Sequence, residues 1–396
     1  MDVELGSKEL QEMFHQSEDK VMVNHGSYGL PPQVVTDHRF KLLQEQDEQP
    51  DVWFRLNMNK YYHEAVDAVA EFVGADKEDI FVIDNATTGI NSIMKSLKFK
   101  AGTKVLMTNH TYLAVKNTIK DIEEMNGGFQ RIFVDIPVPI KSEGDIIDLY
   151  EKYFSTNVDI KIAVIDHITS PSAIVLPVER LIGLCRKYNI LSVIDGAHAP
   201  GQVKLNLNEM QPDFYVGNLH KWVYTARSTG FLWVSPAFRG TIYPPISSNY
   251  DQTMHHRFAY MGTRDYSAFY TIPVALQFFK DVGGLEALTS YTSGLLSWAV
   301  RLLCEALHTK PLDIPSTMKS PVMAIMSLPP LPDGVRDLTA DQLTVDFWLK
   351  YAVQTCFTSF NDRLWLRISA NIYNCKSDYL KLRDCLLHFF EMNPKD

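Results

Sequence analysis

Residues 191–201, Leu-Ser-Val-Ile-Asp-Gly-Ala-His-Ala-Pro-Gly, and residues 214–222, Phe-Tyr-Val-Gly-Asn-Leu-His-Lys-Trp, decide the fold. Each opens on a short apolar run that reads as a buried strand, Leu191–Ile194 and Phe214–Val216, and each sets polar residues where that run stops. Working outward, Ile80–Ile83, Lys104–Thr108, Arg131–Asp135, Lys161–Ile165 and Gly230–Val234 read as further buried strands. Helical spacing separates most of them. Asn59 to Val73 has Tyr62, Ala65, Val66, Val69, Phe72 and Val73 in phase before Gly74 stops it, and helical patterns follow from Asn85 through Leu97, over Tyr112–Met125 and over Val178–Tyr188. Strands alternating with helices specify an α/β fold, with a mostly parallel central sheet sandwiched by helices. Ligands bind such sheets at the carboxyl ends of the strands, so residues just after strands come first as functional candidates.

After Gly283-Gly284 the pattern changes to a long helix from Leu285 to about Leu307 and a proline-rich region from Pro311 to Pro332. Strand-like runs at Val322–Leu328 and Leu364–Ala370 and helices over Ala340–Val353 and from Ser377 to Phe390 complete it. The expected division is an N-terminal tail over 1–20, a large ligand-binding domain over 21–285 and a smaller α+β C-terminal domain over 286–396. A hydrophobic share of 46% and a charged share of 21% are those of a globular protein. The net charge of −9 argues against a broad basic face for nucleic acid or anionic lipid, and no stretch approaches the roughly 20 apolar residues of a membrane span. Five cysteines (Cys185, Cys304, Cys356, Cys375, Cys385) without C-x-x-C pairing disfavour a disulfide framework and a zinc ribbon. With an acidic, polar start that carries neither a secretory nor a transit signal, the expectation is a cytoplasmic protein with no nucleic-acid and no membrane partner.

Asp195 stands beside glycine and alanine at one strand end, and Lys221 follows the next strand 26 residues later. A carboxylate there suits a protonated heterocyclic nitrogen, small neighbours let a flat ligand approach, and a lysine suits covalent capture of an aldehyde. Together they suit pyridoxal 5'-phosphate. Asp195 would keep the pyridine nitrogen protonated, Lys221 would form the Schiff base, His198 would sit beside the ring and His220 beside the phosphate. Singly, the aspartate reads equally well as a turn or cap residue and the lysine as a solvated side chain; the joint spacing decides. Asn85-Ala-Thr-Thr-Gly89 follows a strand and opens a helix, so its N–H groups and the hydroxyls of Thr87 and Thr88 are candidates for the phosphate, although an ordinary helix N-cap would use the same residues. In Asn109-His-Thr-Tyr112, Tyr112 and then His110 are candidates to stack on the ring, with a buried helix residue as the alternative for Tyr112.

Asp195-Gly-Ala-His and Asn218-x-His-Lys221, with the upstream Asn-Ala-Thr-Thr, resemble the class V aminotransferase family of pyridoxal phosphate enzymes, fold type I. Within it, Val23-Asn-His-Gly-Ser-Tyr-Gly29, Asp166-His-Ile-Thr-Ser170, Gly262-Thr-Arg-Asp-Tyr-Ser-Ala268 and Arg367-Ile-Ser-Ala-Asn-Ile-Tyr-Asn374 resemble the branch of isopenicillin N epimerase-like proteins, plant-type L-cysteine desulfhydrases and hercynylcysteine sulfoxide lyases. The resemblance runs from about residue 21 to the last helix. It implies that Thr87 and Thr88 bind the phosphate, with Asn218 and His220 contributing from the lysine loop; asparagine stands at 218 where the family has serine. It implies Ser170 at the cofactor, and Thr263 reaching the phosphate of a neighbouring subunit, hence a homodimer with shared sites. Arg367 matches the arginine that binds the substrate α-carboxylate, a role that suits a planar guanidinium fork. Asn24 and His25 are implied near the substrate, where the N-terminal segment crosses the cleft. Arg55 and Arg264 are candidates for a second acidic group on a longer substrate.

In such enzymes the freed lysine can take the Cα proton, and the fate of the carbanion sets the activity: racemisation, transamination, or loss of a sulfur group from Cβ to give pyruvate and ammonia. Cys356 precedes Arg367 by only 11 residues in an apolar, strand-like stretch, which reads as a buried structural thiol and not as a persulfide carrier on a mobile loop. No G-x-G-x-x-G follows the early strands, which disfavours hydride chemistry. His255-His256 reads as a solvated loop, and no metal is expected. The resemblance implies a carbon–sulfur lyase that eliminates a sulfur group from L-cysteine or a cysteine S-conjugate or sulfoxide; a Tyr112 stacked over the ring could also protonate the departing sulfur, a role that needs its phenol. An amino-acid epimerase or aminotransferase of the same family is the alternative. A catalytically dead binding protein is disfavoured by the intact Asp195, Lys221 and Arg367.

Overall fold

Valine and isoleucine fill the expected strands without alternating polar residues, which is the pattern of a sheet covered on both faces. The computed structural model describes residues 3–17, 19–126, 128–249, 253–361 and 363–392. Residues 1, 2 and 18 of the expected tail and 393–396 of the expected C-terminal domain therefore lie outside the described residues. Seven strands form the central sheet: β1 (Ile80–Ile83), β2 (Thr103–Thr108), β3 (Phe129–Val134), β4 (Ile160–Asp166), β5 (Leu191–Gly196), β6 (Phe214–Asn218) and β7 (Gly230–Val234). Their order is β1-β7-β6-β5-β4-β2-β3, and only β7 runs antiparallel to its neighbours. The strands β1, β6 and β7 are buried along their whole length.

Helices α1 (Met58–Val73), α2 (Ala86–Ser96), α3 (Leu113–Asn126), α4 (Glu143–Thr156) and α5 (Val178–Lys187) cover the sheet. Gly74 ends α1 at φ 62°, a left-handed position that glycine adopts without strain. Among the helices absent from the sequence expectation are α4 and an early helix Gln33–Glu48. The first begins at a reciprocal Ser142/Asp145 capping box, a signal legible in the sequence; the second buries only Val35 and Leu42, so its apolar periodicity is weak.

Beyond α6 (Gly284–Leu307), a three-stranded antiparallel sheet has the order β9-β10-β8, from β8 (Met323–Ser327), β9 (Cys356–Phe360) and β10 (Arg363–Ser369). With α7 (Ala340–Tyr351) and α8 (Lys376–Phe389) it surrounds a second core of Leu303, Leu343, Phe347, Leu366, Ile368 and Leu382. Val21 and Val23 pack into this second core, because the short strand Val21–Met22 pairs with Val353–Gln354. The stretch before it is docked: Leu10 and Phe14 are buried, and the Phe14 ring meets those of Tyr224, Phe278 and Tyr373. Cys356, expected to be buried, is half-buried in β9, where successive side chains alternate between faces. His255 and His256, expected in a solvated loop, lie in a short helix, Met254–Ala259, and the His255 ring packs 4.7 Å from that of Phe81. Among the described residues no helix is long and apolar enough to cross a membrane, and no cluster of three or more His, Cys, Asp or Glu is set to hold a metal.

Candidate active site

At the carboxyl edge of the large sheet, the ends of β1, β4, β5 and β6 and the entry to β7 enclose a cleft of about 300 Å³. Of the sequence candidates, Thr87, Tyr112, Ser170, Asp195, His198, Asn218, His220 and Lys221 line it. The strands fix most of these positions. Asp166 and Asp195 are register partners at the ends of β4 and β5, and Asn218 closes β6 three residues before Lys221.

Lys221 Nζ lies 2.9 Å from His198 Nε2. Trp222 Nε1–H donates to His198 Nδ1 at 3.4 Å, which assigns the ring proton of neutral His198 to Nε2, where it can meet the lysine lone pair. Burial, aided by Lys221 and Arg367, drives the His198 pKa well below its ordinary value, so the ring stays neutral. The Lys221 pKa is lowered to about 7, first by desolvation and then by the Arg367 charge, against the pull of Asp195. A substantial share of Lys221 is therefore the neutral, nucleophilic amine near pH 7. Asp195 accepts the Ala197 N–H at 3.0 Å. Asp166 accepts from Thr111 Oγ1 at 3.2 Å and is pushed well above the usual carboxylate range by burial and by the charge of Asp195. Burial raises Asp195 too, but the Ala197 N–H and Lys221 favour its anion, so Asp195 is the partner that carries the charge.

Arg367 sits mid-strand in β10 and is buried, yet its guanidinium meets only neutral oxygens. Nη1 donates to the Ser170 carbonyl at 2.6 Å and to Ser170 Oγ at 3.3 Å, and Nη2 donates to Asn24 Oδ1 at 3.1 Å and Ser27 Oγ at 3.0 Å. Among the described residues no carboxylate pairs with it. A buried cation beside a cleft and without a counter-ion calls for an anionic ligand.

The first turn of α2 is partly committed. Ala86 N–H donates to Asn218 Oδ1 at 2.8 Å and Thr88 N–H to the cap residue Asn85 at 2.9 Å, while Thr87 lines the cleft. Thr88 Oγ1 also turns to Asn85, at 3.3 Å, and Thr88 is not among the lining residues. His220 Nδ1–H donates to the Thr229 carbonyl at 2.8 Å, leaving Nε2 as the ring atom not so engaged.

Seven candidates do not line the cleft besides Arg367. Thr88 is described above. His110 is fully buried, 2.7 Å from Ser172 Oγ and against the Phe360 ring, so of the two only Tyr112 lines the cleft. His25 stands behind the lysine: its Nε2 bonds the Lys221 carbonyl, and its Nδ1 lies 2.8 Å from Tyr373 Oη. Asn24 bonds Arg367, as above, and Arg264 is held by Asp84 at 3.0 Å. Arg55 is exposed, paired with Asp51 at 3.0 Å, and shares a separate surface cleft with Thr263. The lining residues Ser27, Tyr28, Asp166, Arg227 and Ser228 were not among the candidates. Tyr28 and Asp166 lie inside motifs that carried the resemblance, and Ser228 adopts φ 69°, which nothing in its residue type announces. Gly196 serves packing: a Cβ there would overlap the Tyr215 ring, so it gives no room to a flat ligand.

The donor set fits pyridoxal phosphate. A charged buried carboxylate, a lysine whose pKa is lowered to about 7, a helix N-terminus with Thr87 and His220 alongside, and a half-exposed tyrosine face one cleft. The protein-family model for aminotransferase class-V matches residues 32–326. The chain is 26% identical to hercynylcysteine sulfoxide lyase of Schizosaccharomyces pombe, covering 96% of this chain and 97% of that protein. It is also 26% identical to the probable chloroplastic L-cysteine desulfhydrase of Arabidopsis thaliana, over 96% of this chain and 86% of that one. Among solved structures, a complex between the cystine C-S lyase C-DES and its product cysteine persulfide superposes with a TM-score of 0.79 at 17% identity, over 94% of this chain and 98% of that chain. The architecture is fold type I. From the match over residues 32–326, the chain belongs to the class V aminotransferase family.

Proposed function

We propose that this protein is a pyridoxal phosphate-dependent carbon–sulfur lyase that acts by β-elimination on L-cysteine or a cysteine S-conjugate or sulfoxide. The observation that carries the reading is the Arg367 guanidinium, buried without a carboxylate partner among the described residues, next to the cleft that holds the activated Lys221 amine. The relatives' names support the sulfur chemistry. When bound, pyridoxal phosphate supplies an electron sink that acidifies the Cα–H bond of an amino acid.

The chain's own residues do the rest. Lys221 anchors the cofactor and later takes the Cα proton. Asp195 holds the ring nitrogen's charge. Thr87, Asn218 and His220 would hold the phosphate, with Thr88 steadying the Asn85 cap, and Ser170 and His198 would stand beside the ring. Arg367 grips the α-carboxylate bidentately and, through Ser170, Ser27 and Asn24, fixes where Cα lies relative to Lys221. Tyr112, which faces the cleft half-exposed, gives its phenol proton to the leaving sulfur. His25 and His110 act as supports behind the site. The Cα–H and Cβ–S bonds break, sulfur leaves with its electron pair, and water takes the remainder to pyruvate and ammonia. Cys356 sits in a regular strand, which favours a free sulfur product over a persulfide relay on this chain.

The working unit is a cytoplasmic homodimer. Thr263 lies outside the cleft of its own chain, as a phosphate contact made in trans requires. A domain over 21–285 holds the cofactor and one over 286–396 supplies Arg367. Purified protein supplied with pyridoxal phosphate is expected to show a visible absorption band that borohydride removes. Lys221→Ala is expected to lack it, and a borohydride-sensitive band in that variant would assign the anchor to another lysine.

A further inference from the structure

A second cleft, of about 540 Å³, adjoins the first and shares Tyr28 and Arg227 with it. Its walls come from three places in the chain: the N-terminal stretch that bears Lys20 and Leu30, Arg227 after the lysine loop, and the stretch from α7, with Val345 and Trp348, to Thr355. Asn24 lines it as well, and the same Asn24 side chain accepts from Arg367 at 3.1 Å, so the cleft reaches the group that would grip a substrate carboxylate.

Its charge runs against that of the molecule. The chain has 47 acidic residues against 38 basic ones, yet among the described residues no aspartate or glutamate lines this cleft, while Lys20 and Arg227 do. Among the described residues neither cation has an acidic partner; Arg227 donates one N–H to the Gly29 carbonyl at 2.9 Å and keeps the rest of its fork. Apolar and aromatic side chains share the lining, with Trp348 36% exposed and Val345 52% exposed. A cavity with an apolar body and a few placed charges is the usual form of a small-molecule subsite.

We propose that this second cleft takes the sulfur-borne part of the substrate, and that the preferred substrates are cysteine S-conjugates whose sulfur substituent has an apolar or aromatic body ending in an anion. The proposal rests on the lyase reading of the Lys221 site. Lys20 and Arg227 would meet the terminal anion, and Trp348 would lie against the body.

The holoenzyme is assayed with S-(4-carboxybenzyl)-L-cysteine and S-ethyl-L-cysteine. The carboxybenzyl conjugate is expected to have a kcat/KM at least about tenfold higher, as one charge-assisted contact allows. Lys20→Glu is expected to remove that advantage through KM while leaving S-ethyl-L-cysteine unchanged, which also shows that the variant folds. Trp348→Ala is expected to weaken the carboxybenzyl conjugate alone. Equal kcat/KM for the two conjugates, or loss in Lys20→Glu that is the same for both, overturns the proposal. If neither conjugate releases its thiol, the lyase reading is decided separately with L-cysteine and the sulfoxides, and titration of the cofactor absorbance with each conjugate still decides the cleft: about tenfold weaker binding of the carboxybenzyl conjugate to Lys20→Glu upholds it, and unchanged binding overturns it.

Discussion

Arg367 and Lys221 act on one another as well as on a ligand. The guanidinium charge helps desolvation lower the lysine pKa to about 7, so an amine that would be almost wholly protonated in water is in large part neutral near pH 7. Arg367→Leu is therefore expected to raise KM for an amino-acid substrate by about 100-fold, the effect of removing a buried charge-assisted contact, while cofactor absorbance persists. It is also expected to move the pH midpoint for cofactor capture by the apoprotein upward from about 7. Steady-state kinetics and a pH series of absorbance measure both, and an unchanged KM would take Arg367 out of substrate binding. Asp195 and Lys221 are legible in the sequence because a period of apolar residues ends just before each. Arg264 is not, since the carboxylate that engages it, Asp84, lies 180 residues away, and sequence spacing carries no trace of that pairing. His110 is misread for the same reason: its partner Ser172 is 62 residues on.

The segment from Val21 to Gly29 ties the two cores together. Val21–Met22 pairs with Val353–Gln354, Ser369 N–H donates to the Val23 carbonyl at 2.7 Å, and Gly29 then passes over the lysine loop. At φ 67° a Cβ on Gly29 would overlap the His220 carbonyl oxygen. Gly29→Ala is expected to cost more than about 1 kcal/mol and to weaken cofactor binding by shifting the loop that bears Lys221. The urea midpoint and a cofactor titration measure the two effects, and a variant equal to wild type in both would show that this crossing does not set the site. A two-residue strand is too short to show periodicity, and its partner strand lies over 300 residues away, so the sequence gives no sign of the element. The long buried strands of the central sheet, by contrast, are bounded by glycine and polar residues and read directly.

Over the whole molecule, burial of neutral histidines ties stability to pH. The pKa of His25 is lowered to about 3, and those of His110, His167 and His220 to about 4, in each case chiefly by desolvation. The unfolded chain takes up these protons below roughly pH 6.5 and the folded chain does not, so the unfolded state binds more protons and stability falls as pH drops from about 6.5 towards 4. Asp166 and Asp195, with raised pKa values, bind protons in the folded state first and oppose this, but they are outnumbered. The urea midpoint is expected to be lower at pH 5 than at pH 7.5; a flat or rising midpoint on acidification would mean that these histidines are not held neutral. The fold class and the cleft edge follow from the chain's apolar periods and several lining residues from its motifs, while the second cleft joins three distant segments and is visible only in three dimensions. The central claim is that the site breaks a carbon–sulfur bond, and the direct measurement is product stoichiometry from purified holoenzyme given L-cysteine, its S-conjugates and sulfoxides. The account predicts pyruvate, ammonia and the sulfur product in equal amounts from at least one of them, and chirality change or transamination without sulfur release would contradict it.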